Sequence, residues 1–191
     1  ETEPHSNGWF SRYMWVNLLQ MLVEEKWNTT VQKSASGRVR TLTNQLYPAW
    51  TIKASYPALT DAQADELLGF VALIKGSFEA FLWLDPEHNT EKGAPLAQVS
   101  SSKYQCVARI GSYVEPVEYV ENVTVLVNGA IVPTTNYTVS GGIISFRQIP
   151  SGTVTANYTY YWKVILADDG LTISKKFDNI NTAEIKLEVA R

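Results

Sequence analysis

Between residues 60 and 76 the apolar positions recur with the period of a helix. Ala64, Leu67, Leu68, Val71 and Ile74 fall at three- and four-residue intervals, which predicts one apolar face. Thr60 and Gln63 form a capping-box pair with Asp61 in the first turn, and Lys75 and Gly76 supply a stop. A helix is therefore predicted over about 60–75. Met14, Leu18, Met21 and Leu22, widened by Trp15 and Leu19, repeat the spacing and predict a second helix within residues 9–27.

From Asn28 onward the period falls to two. Strands are predicted over Thr29–Lys33, 38–43, 50–56, 78–84, 104–110, 120–127, 131–132 and 137–139, then over Ile143–Phe146, Val154–Leu166, 171–173 and 183–189. Asn128-Gly129, Gly141-Gly142, Pro150-Ser151-Gly152 and Asp168-Asp169-Gly170 carry turn chemistry between them. The polar stretch 87–95 reads as a surface loop. The pattern predicts a mainly β fold: a β-sandwich-like domain with one packed α-helix, at about 60–75, and an inserted β-hairpin-rich subdomain. The expected boundaries are an N-terminal segment of helical spacing at 1–28, a main β domain at 29–97 with 163–191, and an inserted β subdomain at 98–162.

Composition agrees with a folded chain: of 191 residues, 45% are hydrophobic and 18% charged. The net charge of −3 comes with no basic cluster, which argues against a nucleic-acid-binding site. No run of ~18 apolar residues predicts a membrane span. Met14–Val23 is interrupted by Asn17 and Gln20 and lacks a basic leader, so it is not read as a signal peptide. The single cysteine, Cys106, lies in a strand-like run and reads as a packed thiol.

Candidate chemistry is sparse. His5 and His88 are the two histidines, and neither stands in a catalytic or zinc-binding pattern. Phosphate-loop and nucleophile-elbow motifs are absent from the sequence. The expectation is a non-enzymatic protein with no catalytic residues, no cofactor and no metal. Asp85, Glu87, Asn89 and Glu91 alternate as calcium ligands do, but Thr90 stands where an EF-hand loop has glycine, and a solvated acidic loop is the plainer reading. Four Asn-x-Thr triplets, at Asn28, Asn122, Asn136 and Asn157, are explained by threonine-rich strands. Tyr158, Tyr160 and Trp162 share one strand face, and that face is either an aromatic ligand or interface surface or a core layer. Asn128 and Gly129, as a hairpin tip, are candidate contact residues.

Several segments, in order, resemble the distal tail proteins of long-tailed bacteriophages and of gene transfer agents. They are Val31 to Arg38, Tyr47-Pro48-Ala49-Trp50, Gly69-Phe70, and Lys75-Gly76-Ser77-Phe78-Glu79-Ala80-Phe81-Leu82-Trp83-Leu84-Asp85-Pro86. Glu115-Pro116-Val117, Val127-Asn128-Gly129, the run from Tyr158 to Val164, the turn at 168–171 and the closing strand at 184–189 follow. The resemblance covers about 29–189, and the first 28 residues depart from it. It implies a structural virion protein, made in the bacterial cytoplasm, that forms a hexameric ring joining the tail tube to the hub or baseplate. In such a ring the expectation is that main-domain strands line the lumen and the insert projects outward or towards a neighbour. The alternatives are a carbohydrate- or receptor-binding β module and a tail-tube or tail-terminator ring protein.

Overall fold

The computed structural model describes residues 20–191. In chain order the elements begin with β1 (Gln20–Lys26), β2 (Thr29–Lys33), β3 (Val39–Thr43), β4 (Ala49–Leu59), α1 (Asp61–Leu73) and β5 (Phe81–Trp83). Strands β6 (Thr90–Pro95), β7 (Ala97–Ser100), β8 (Lys103–Gln105), β9 (Val107–Ile110), β10 (Tyr113–Pro116), β11 (Tyr119–Val127) and β12 (Ala130–Ile131) follow. After a short 3-10 turn come β13 (Tyr137–Ser140), β14 (Ile143–Phe146), β15 (Val154–Leu166), β16 (Thr172–Phe177) and β17 (Ile180–Val189). The fold is mainly β, with one α-helix among the described residues.

The described residues divide into two compact units, one of residues 20–81 with 163–191 and the other of residues 82–162. The second unit is inserted in the first and begins at Leu82, not at residue 98 as the sequence suggests. The physical reason is β6. Residues 87–95 were expected to be a loop, yet Thr90–Pro95 pairs with the first part of β15, interrupted by a bulge where the Asn157 side chain accepts from Gly93 N at 2.6 Å.

In the first unit β1, β4 and β17 lie side by side, all antiparallel, and β16 pairs with β17 on its far side. The last residues of β15, Val164 to Leu166, also pair with β17. Trp50, Ile52, Ala54, Tyr56, Ala183, Ile185 and Leu187 are buried on one sheet face, the face against which α1 packs. The expected helix at 9–27 falls outside the described residues up to position 19. The remainder is corrected: Gln20–Lys26 is strand β1, paired residue for residue with Ser55 to Ala49. Seven residues with both periods present fold by whichever neighbour they meet, and here that neighbour is an open sheet edge.

The capping box of α1 is present as expected, with Gln63 N donating to Thr60 Oγ1 and Thr60 N donating to Gln63 Oε1. The buried face differs by one position. Leu68 is exposed, and Phe70 meets the Phe81 ring edge-on at 5.1 Å. The stop is a Schellman motif: Gly76 N donates to Val71 O and Lys75 N to Ala72 O, with Lys75 and Gly76 both left-handed. The turn continues to Glu79, which is why the expected strand at 78–84 shortens to Phe81–Trp83. Gly76 permits this path, since a Cβ there would lie 2.8 Å from the backbone oxygen of Asp169. Ser77 then ties the turn to the 166–169 segment, its N donating to Asp169 Oδ1 and its Oγ to Leu166 O.

In the second unit β6, β15, β11 and β12 form one sheet, and β13, β14, β8 and β7 form another. The expected single run at 104–110 is two strands. Cys106 breaks it by donating its N–H to Gly142 O and accepting from Val117 N, so β8 joins β14 while β9 pairs with β10.

The N-terminus of α1 is fixed to the β16–β17 hairpin. Asp61 accepts from Asn181 Nδ2 at 2.7 Å and from Lys175 Nζ at 3.1 Å, while its N–H donates to Asn179 Oδ1. The Asn181 hydrogen bond, then Lys175, hold the Asp61 carboxyl below its usual range. A lowered folded value makes this contribution to stability present above the ordinary carboxylate pKa near ~4 and lost as pH falls through the folded value. Asp61→Asn is therefore expected to flatten the acid limb of a pH series of urea unfolding midpoints. An unchanged acid limb would remove the role.

Candidate functional site

The sequence nominates Tyr158, Tyr160 and Trp162 first, and the fold places them inside. Their exposures are 2%, 2% and 9%. Strict alternation along β15 turns all three the same way, and the Tyr160 and Trp162 rings meet edge-on at 5.9 Å. Tyr158 Oη donates to Val107 O at 2.6 Å and accepts from Val107 N at 3.0 Å, so one hydroxyl satisfies both backbone groups of a buried residue. Burial pushes both phenols well above their ordinary pKa. As ligand-surface candidates these residues are corrected to core. Their alternation was legible, but which face of the strand is covered depends on non-local packing.

Asn128 and Gly129 are exposed, as expected of a hairpin tip, and join β11 to β12 with φ of 52° and 81°. Two positive φ values in a two-residue loop make a type I′ turn. The Asn128 side chain is already engaged: Nδ2 donates to Ser151 O and Oδ1 accepts from Thr153 N. It closes the neighbouring 150–153 turn, where a Cβ on Gly152 would stand 2.2 Å from Asn128 Nδ2. Asn128 thus acts as a structural pin, and Gly129 with Ile131 forms the accessible tip.

The alternating oxygens at 85–91 serve the backbone. Asp85 is buried, and its Oδ1 accepts from Glu87 N at 2.7 Å and His88 N at 2.9 Å. Asn89 Nδ2 donates to Asp85 O, and Glu91 Oε1 accepts from Arg109 N. These side chains close a turn and anchor a strand, and among the described residues no His, Cys, Asp and Glu cluster is arranged to hold a metal ion. Cys106 is buried, which raises its thiol pKa to about 12. At neutral pH such a thiol is unreactive.

No family model and no curated protein matches this chain.

What the fold brings together instead is a set of surfaces on the first unit. Opposite the buried sheet face, Thr51, Lys53, Ser55, Thr182, Glu184 and Lys186 make a polar face of mixed charge. A shallow groove of about 340 Å³ crosses it, lined in part by Ser55, Pro57, Thr172, Ser174 and Glu184. Two of the sheet's strands, β1 and β16, are unlike edge strands, while the rest of the far flank of β17 is taken by the end of β15. Among the described residues β1 has no strand beyond it, and it carries exposed Glu24 and Glu25. At the other side β16 carries exposed Lys175 and Lys176. Among the described residues the β2–β3 hairpin pairs only within itself, and all ten of its strand residues are exposed. No helix among the described residues is long and apolar enough to cross a membrane.

The role given to Tyr158 has a direct check. Tyr158→Phe leaves the Val107 N–H and C=O unpaired in a buried site, and such a loss costs about 1–3 kcal/mol. Urea unfolding of the variant is expected to show that decrease with an unchanged slope. A variant as stable as the parent would mean that Val107 finds other partners.

Proposed function

We propose that the chain is a structural subunit of a virus-like tail tip, a distal tail protein whose copies close into a ring between the tail tube and the hub or baseplate. Six copies are implied by the family resemblance. The observation that carries the reading is the pair of unlike sheet edges on the first unit. A ring needs heterologous contacts, in which each subunit offers two different surfaces. Here one edge bears Glu24 and Glu25 and the other Lys175 and Lys176.

Strand direction supports the same reading. Counting from β1 across β4 and β17 to β16, each strand is antiparallel to the last, so β1 and β16 run in opposite directions. A rotational repeat that sets β1 of one copy beside β16 of the next therefore joins them antiparallel. Open edges of this kind are otherwise an aggregation hazard that folds cover or blunt. The polar face of Thr51, Lys53, Ser55, Glu184 and Lys186 suits a water-filled lumen. Burial of Tyr158, Tyr160 and Trp162 removes the surface on which a carbohydrate-binding reading rested.

The edge contact is tested by charge exchange. Glu24→Lys alone and Lys176→Glu alone are each expected to reduce the rings seen by negative-stain electron microscopy, because each sets like charges across the joint. Mixing the charges back in the double variant is expected to restore them. Rings unaffected by either single change would place the joint elsewhere, and no ring in any form would remove the reading.

A further inference from the structure

Among the described residues nothing covers the β2–β3 hairpin or the outer face of α1, and the two are opposites. On the hairpin, the register Lys33↔Val39 and Val31↔Thr41 puts Val31, Lys33, Val39 and Thr41 on one face. Val31 and Val39 are both more than half exposed there. The chain from residue 26 to residue 60 contains no Asp or Glu, and it carries Lys26, Lys33, Arg38, Arg40 and Lys53. From residue 61 to residue 74 there is no Lys or Arg. The outer face of α1 presents Asp65, Glu66, Gly69 and Ala72, and beside them Leu73 is 71% and Phe78 76% exposed.

An isolated two-stranded hairpin is at best marginally stable in water, and the residues of both its faces are exposed. Exposed Val31 and Val39 on one feature and exposed Leu73 and Phe78 on the other, with Lys75 Nζ over the Phe78 ring at 5.2 Å, are surfaces that a partner would cover. Hairpin against hairpin would oppose like charges, and so would helix face against helix face. Hairpin against helix face sets Lys33, which shares its face with Val31 and Val39, against Asp65 and Glu66, and Val31 and Val39 against Leu73 and Phe78. We infer that the Val31–Val39 face of the β2–β3 hairpin docks on the α1–Phe78 face of a second copy of this chain. The contact joins two different surfaces, so it repeats head to tail and closes or runs on according to the rotation between copies. The inference rests on the ring reading above and names a second joint within it.

Two cysteine variants test it, aided by the inert Cys106. Val39→Cys in one preparation and Leu73→Cys in another are mixed and oxidised, and a covalent dimer containing one of each is expected. Neither variant oxidised alone is expected to give it. In parallel, Lys33→Glu with Arg38→Glu is expected to raise the concentration at which assembly is half complete by tenfold or more. Asp65→Arg with Glu66→Arg is expected to do the same, and an equimolar mixture of the two variants to recover part of the loss. Both pairs of sites are exposed, so thermal melting is expected to match the parent.

An oligomer that forms normally with no mixed disulfide and no charge effect would overturn the hairpin contact while leaving the ring reading intact. A parent chain that never assembles would overturn both. If the basic hairpin instead binds duplex DNA in a gel-shift assay, and loses that binding in Lys33→Glu with Arg38→Glu while assembly is unchanged, the partner is nucleic acid and the proposal fails.

Discussion

The structure depends on the alternation along Val154–Leu166. Every second residue, from Val154 through Ala156, Tyr158, Tyr160, Trp162 and Val164 to Leu166, is buried, and those between are half-exposed. The strand belongs to both units, its first nine residues to the inserted one and its last four to the other. A slip of one residue would turn the whole set outward, so register is specified by seven side chains acting together. Tyr158 adds a polar lock, because its hydroxyl reaches Val107 only in the observed register. The bulge at Asn122, which has φ of 54°, absorbs the mismatch between β11 and β15 without disturbing that alternation.

What the sequence reveals is what local chemistry decides. The Thr60–Gln63 box, the Asn128-Gly129 turn and the strands Thr29–Lys33, Ile143–Phe146 and Val154–Leu166 all stand where their residues place them. What it conceals depends on distant partners. Gln20–Lys26 becomes a strand because β4 offers an edge, and Thr90–Pro95 because β15 does. Leu68 satisfies the helical spacing yet faces solvent, while Phe70 takes the contact with Phe81. The aromatic run at 158–162 shows the same limit: its periodicity is plain, but its burial is a property of the folded units. The candidate surfaces were the least legible. A sheet edge has no residue signature of its own, and the charges on β1 and β16 acquire meaning only once both are seen to be edge strands among the described residues.

In the proposed ring, those surfaces would supply the joints between copies. Glu24 and Glu25 sit at one edge with Lys175 and Lys176 at the other, and a basic hairpin answers an acidic, apolar helix face. In both pairs self-matching is opposed by like charge, which favours head-to-tail joining over two-fold pairing. Asp61 gives the arrangement stiffness, since it holds the start of α1 to the hairpin that carries Lys175. The buried, hydrogen-bonded side chains of the inserted unit are used for packing and for turn closure, and its exposed tip at Gly129 and Ile131 remains free for contacts.

The central claim is that this chain builds a closed ring from unlike surfaces. Its most direct test is the solution mass of the purified chain, measured by light scattering over a concentration series in buffers of rising ionic strength. The account predicts a shift from monomer to one closed species of defined mass, with salt weakening the assembly because charge complementarity contributes to the joints. A strict monomer at the highest concentration, or a mass that keeps growing without limit, would contradict it.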